Sequence, residues 1–108
     1  MCHINFYFSR NSVSKSIANL CEIITVEKGF CLKYSNGILE YFINDIRPTT
    51  TTKYNFIIPF RDVDYICLTT HIQGEQTNGW KRSESTKNYI ILINEHATIN
   101  AFIKGFWK

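Results

Sequence analysis

His71, His96 and Lys87 are the residues of this chain whose types could cleave a phosphodiester. Two imidazoles can pass a proton in each direction and an ammonium can hold the phosphate, the minimum for a metal-free nuclease. Their spacing gives them no common scaffold. His71 is expected to end a strand and His96 to lie in the first turn of a helix, both ordinary surface positions. Asp62 and Asp64 flank Val63 and could share a strand face as paired carboxylates; they read more simply as solvated residues where a strand begins. Metal chemistry is no better supplied. Cys2 and His3 are adjacent rather than spaced, whereas structural zinc sites draw ligands in close pairs that the backbone pre-positions. The glycines Gly29, Gly37, Gly74, Gly79 and Gly105 stand apart, so no loop is built to cradle a phosphate. The sequence predicts no catalytic residue, no metal and no cofactor.

Recognition is better served. Between the apolar runs at 65–70 and 89–93 lies a polar segment, residues 73–88, that carries the lone Trp80 beside Lys81 and Arg82. Folded back, that indole is a lid on a sheet edge; exposed, it is an anchor, since tryptophan and arginine dominate many interfaces. Lys81, Arg82 and Lys87 could meet phosphates, an acidic protein patch or anionic lipid. Glu75 and Glu84 in the same segment dilute the positive field. The expected partner-binding residues are Trp80, Lys81, Arg82, Glu84, Glu75 and Lys87.

The bulk numbers set the frame. At 108 residues, with 44% hydrophobic and 15% aromatic content, the chain has room for one domain and one packed core, residues 1–108. A net charge of +3 is mild, and the cations are spread from Arg10 to Lys108 rather than gathered into the one-sided field of many nucleic-acid binders. No apolar run approaches the about 18 residues that span a bilayer. The N-terminus lacks the charged region and cleavage site of a signal peptide, and no Asn-x-Ser/Thr sequon occurs. A cytoplasmic protein is expected. Cys2, Cys21, Cys31 and Cys67 form no CxxC pair and read as reduced thiols, although the count alone permits two disulfides.

The elements that position these residues follow from periodicity. Residues 4–8 alternate as a strand. Val13, Ile17, Leu20 and Ile24 share one helical face, giving a helix over 13–24 that Gly29 closes. Alternation on either side of Asn36-Gly37 predicts a hairpin, because Asn-Gly tolerates the positive φ of a tight turn. Arg47-Pro48 and the four threonines that follow read as loop. Strands are expected at 54–58 and 64–71, and the β-branched run 89–93 is expected to be central in a sheet. Ile99, Phe102, Ile103 and Phe106 recur at helical spacing, with Asn94 as cap and Gly105 as stop, which predicts an amphipathic C-terminal helix over 95–106. The predicted class is α+β: a mostly antiparallel sheet of five to six strands, with an N-terminal and a C-terminal helix packed on it.

Two resemblances add to this reading. The stretch Phe56-Ile57-Ile58-Pro59-Phe60-Arg61-Asp62-Val63-Asp64-Tyr65-Ile66, followed by the expected final helix, resembles bacterial pleckstrin-homology-like domains in its rhythm. That resemblance implies a bent strand pair plugged by a C-terminal helix. As a type, a small single-domain chain rich in Asn, Ile and Lys with no catalytic set resembles bacterial immunity proteins, of contact-dependent inhibition or bacteriocin systems. These bind a cognate toxin domain and occlude its site; they share no signature, so the resemblance implies a role but no particular residues. Immunity proteins against cationic nucleases are often acidic. This chain is not, so the implied partner is near neutral or held by apolar and hydrogen-bonding contacts.

The expected function is therefore a non-enzymatic protein-binding module that neutralises a toxin domain. The alternative is a binder of anionic ligands, phospholipid headgroups or single-stranded nucleic acid, using Trp80 for stacking and the three cations for phosphates. A small nuclease is third.

Overall fold

A computed structural model describes residues 20–74 and 78–108. Eight strands run through them: β1 (Cys21–Val26), β2 (Gly29–Tyr34), β3 (Ile38–Ile46), β4 (Thr51–Asn55), β5 (Ile66–Gly74), β6 (Gly79–Trp80), β7 (Tyr89–Ile93) and β8 (Ala97–Phe106). One 3-10 turn, Arg82–Glu84, interrupts them. The strands pair antiparallel into two sheets, ordered β1-β2-β3-β8-β5 and β4-β7-β6.

The antiparallel pairing agrees with expectation, and the helices do not. Residues 97–106, read as an amphipathic helix plugging the sheet, are the strand β8 between β3 and β5. Its inner face buries Ala97, Ile99, Ala101 and Ile103, while Phe102 and Phe106 are apolar on the outer face. The two phenylalanines interrupt an outer face otherwise made of Thr98, Asn100 and Lys104, and Ile99, Phe102, Ile103 and Phe106 then fall on helical spacing by coincidence. The C-terminal helix implied by the pleckstrin-homology-like resemblance is this strand. Of the expected N-terminal helix, Cys21–Ile24 belong to β1, where the run Ile23-Ile24-Thr25-Val26 is β-branched and favours a pleated backbone. Residues 13–19 and the expected strand 4–8 lie outside the described residues. The class is thus two antiparallel sheets, not α+β.

The hairpin is as the sequence predicts. Phe30 faces Phe42 and Lys33 faces Leu39 across β2 and β3. The Ile38 N–H donates to Asn36 Oδ1 at 3.1 Å, and Gly37 takes a φ of 105°. β7 lies between β4 and β6, central as expected, with Ile90 and Leu92 fully buried.

Two segments read as loop and cap do more. Thr51 and Thr52 are already in β4. The buried Asn94 caps no helix; its Oδ1 accepts from the hydroxyls of Thr49 and Thr52, and its Nδ2 donates to the Arg47 carbonyl at 2.6 Å. The threonine run thus supplies hydroxyls to a buried amide.

One core lies between the sheets. Tyr41 from β3 meets Tyr54 of β4 and then Phe56 and Phe60, with ring centroids between 4.9 and 6.4 Å apart. The Tyr41 hydroxyl donates to the Ile58 carbonyl at 2.6 Å and accepts from the Ile58 N–H at 2.9 Å. Burying side chains such as Ile90, Leu92, Ile99 and Ile103 contributes about 2 kcal/mol each over leaving them exposed. Gly105, expected to stop a helix, instead sits on the inner face of β8. A Cβ there would lie 2.8 Å from both Phe60 Cδ1 and Tyr65 Cβ, so glycine leaves room for those rings. Cys31 and Cys67 are free, whereas Cys21 is disulfide-bonded, against the expectation of reduced thiols throughout.

Candidate recognition surface

The polar segment 73–88 is not one loop. Gln73 and Gly74 end β5, Gly79 and Trp80 form β6 opposite Ile93 and Leu92, and the 3-10 turn follows. Trp80 is partly buried. Its ring stacks on Tyr65, with centroids 5.3 Å apart and planes 29° apart. One side of the indole is therefore committed to the fold, while part of it remains accessible.

Tyr65 is the post on which this segment is hung. It is 2% exposed, and its hydroxyl lies 2.8 Å from the Thr86 carbonyl and 3.1 Å from that of Tyr89. Burial pushes its phenol up to about 12, because the ionised form would lose its hydration. Ser85 closes the other side. Its Oγ donates to the Lys81 carbonyl at 2.7 Å and accepts from the Ile91 N–H at 2.9 Å. The Lys81 N–H donates to the Ile91 carbonyl at 2.9 Å. Backbone and side chain together fix residues 79–85.

The charges are paired in place. Arg82 donates to the Asp64 carboxylate and to the Val63 carbonyl at 3.3 Å. Lys81 Nζ lies 3.6 Å from Glu84. Both pairs are exposed, so each contributes at most about 1 kcal/mol, but each cancels its own local field. Lys87 is exposed and has no carboxylate partner among the described residues; its carbonyl accepts from the Phe60 N–H at 3.0 Å. Glu75 lies outside the described residues. The structure thus brings Trp80, Lys81, Arg82 and Glu84 together.

Sequence reasoning missed Tyr65, Asp64 and Ser85. The first two stand at least 15 positions before their partners, and no local pattern pairs residues at that distance. It also missed a second surface. On the outer face of the five-stranded sheet Phe30, Phe42, Phe102 and Leu68 lie opposite one another in register. Phe42 stacks on Phe30 at 4.8 Å and meets Phe102 at 5.0 Å. Phe102 was assigned to a helix, which hid the row.

The groups that could do acid–base chemistry are differently placed. His71 and His96 lie at the same end of the β5–β8 ladder: His71 Nε2 is 2.6 Å from the Gly74 carbonyl, and His96 directly precedes Ala97, which faces Gly74. His96 occupies a left-handed turn, φ 58°, not a helix. Lys87 precedes β7 and His96 follows it, so they stand at opposite ends of a five-residue strand about 17 Å long. Asp62 accepts from the Asp64 N–H at 2.9 Å and pairs with Arg61 at 3.2 Å. Among the described residues no group of three His, Cys, Asp or Glu could hold a metal, and no helix is long and apolar enough to cross a membrane. No family model, curated protein or solved structure matches the chain.

Proposed function

We propose that this chain is a non-enzymatic protein-binding module, and specifically an immunity protein that binds and neutralises a cognate toxin domain. The observation that supports it is the accessible part of Trp80 on a segment held rigid by Tyr65 and Ser85. A surface fixed before binding loses little entropy on docking. Tryptophan and arginine are the residues that most often dominate such contacts. Because Lys81 and Arg82 already face Glu84 and Asp64, the surface offers a mixed-charge rim that suits a protein better than a run of phosphates.

The test is capture on the immobilised chain from lysate of its native cell, followed by calorimetry on the purified captured protein. A protein partner held through residues 80–84 keeps most of its affinity as salt is raised and is weakened by Arg82→Ala. Binding that collapses with salt in the manner of counterion release supports the anionic-ligand alternative instead.

A further inference from the structure

We infer that β5 is the self-association edge of this chain, pairing antiparallel with β5 of a second copy around a two-fold axis at Leu68.

β5 ends the five-stranded sheet and pairs only with β8 there. The direction of its free backbone groups can be read from the ladder. The Trp107 N–H donates to the Gly37 carbonyl, so odd-numbered residues of β8 turn their backbone groups toward β3 and even-numbered ones toward β5. Leu68 faces Phe102, Ile66 faces Lys104 and Thr70 faces Asn100. Ile66, Leu68 and Thr70 therefore bond to β8, and Cys67 and Thr69 direct their N–H and C=O groups outward. Among the described residues neither meets another backbone group on that side.

Edges of this kind are usually blunted by charge, proline or an early bulge. From Ile66 to Gly74 there is no Asp, Glu, Lys, Arg or Pro, and the register shift comes only after His71. The opposite edge, β1, carries Glu22. On β5 the exposed side chains are apolar or neutral polar instead: Ile66 is 57% and Leu68 60% accessible, and Thr70 and Gln73 are exposed with them. Leu68 continues the row of Phe102, Phe42 and Phe30.

A second copy fits this edge because antiparallel self-pairing sets each residue against its own strand, and a strand without Asp, Glu, Lys or Arg meets no like charge from those residues. With the axis at Leu68, Cys67 of each copy lies opposite Thr69 of the other. Their N–H and C=O groups then form four hydrogen bonds and leave none of the eight groups unpaired. Leu68 falls in the position without hydrogen bonds, where opposing Cα atoms are about 4.5 Å apart and side chains approach most closely. Ile66 lies against Thr70, and the outer apolar row runs on into the second molecule.

Light scattering on the eluting peak tests this. The wild-type chain is expected at twice its 12.7 kDa and Leu68→Lys at the single mass, with unchanged far-UV circular dichroism. Leu68→Cys, oxidised, is expected to give a disulfide-linked dimer on a non-reducing gel above the wild-type blank, whereas Thr70→Cys, which faces Ile66, does not. The gel decides the matter if Leu68→Lys fails to fold. A monomeric wild type, a dimer that survives Leu68→Lys, or equal cross-linking at 68 and 70 overturns the inference.

Discussion

Tyr65 and Trp80 stack at 5.3 Å across the boundary between the two sheets, and that contact joins the fold to its recognition surface. Tyr65 directly precedes β5 in the five-stranded sheet, while Trp80 belongs to β6 in the other. The indole is thus both a packing element and an exposed feature.

Trp80→Ala removes the partner of a buried phenol ring and is expected to lower stability by about 2 kcal/mol, less than for a fully buried tryptophan. Trp80→Phe keeps a ring against Tyr65 and is expected to cost about 1 kcal/mol or less. Urea midpoints of the two variants check the difference; equal midpoints would mean the stack contributes nothing.

Gly105→Ala is expected to destabilise the chain by about 1–3 kcal/mol through overpacking, since the added methyl meets Phe60 and Tyr65. A surface control, Lys87→Ala, removes an exposed side chain with no carboxylate partner among the described residues and is not expected to perturb that contact. Thermal melts of both variants make the comparison.

Asn94→Ala leaves the Arg47 carbonyl without its donor and the Thr52 hydroxyl without its acceptor, while the Thr49 hydroxyl keeps the Thr51 carbonyl at 2.7 Å. A loss of about 1–3 kcal/mol is expected. Chemical denaturation reads it, and an unchanged midpoint would contradict the role given to this amide.

Alkali is expected to unfold the protein. Burial holds the phenols of Tyr34, Tyr54 and Tyr65 up to about 12 against an ordinary 10.0, drives Tyr41 upward as well, and raises the Cys31 thiol from 9.0 to about 11. The folded chain therefore keeps protons that the unfolded chain gives up. Stability is full below about pH 9, falls as pH rises through the ordinary thiol and phenol range, and is lost most completely near pH 12. Denaturant midpoints against pH, with tyrosinate absorbance as the second probe, follow this. A flat profile from about pH 8 to 11 would contradict it.

The sequence was legible where one face of a strand is apolar and the other polar, or where a turn has its own chemistry. The hairpin around Asn36-Gly37 is of that kind, and the run 89–93 was legible for another reason, being short, apolar and mostly β-branched. β8 was not, because Phe102 and Phe106 interrupt an outer face otherwise made of Thr98, Asn100 and Lys104, so a two-residue period turned into an apparent helical one. The threonines of β4 read as loop because their buried partner, Asn94, lies more than 40 positions on. At the recognition surface, Trp80, Lys81, Arg82 and Glu84 could be picked out from residue type alone. Their pairing with Tyr65 and Asp64 could not, since it exists only once the two sheets are packed.

Calorimetry on the captured partner, comparing the wild-type chain with Trp80→Phe, tests the central claim most directly. That variant retains the stack on Tyr65 but loses the indole's second ring and its N–H. An affinity at least about tenfold weaker, about 1.4 kcal/mol, is the predicted result. Equal affinities for the two folded proteins would contradict the assignment of Trp80 as the anchor of this surface.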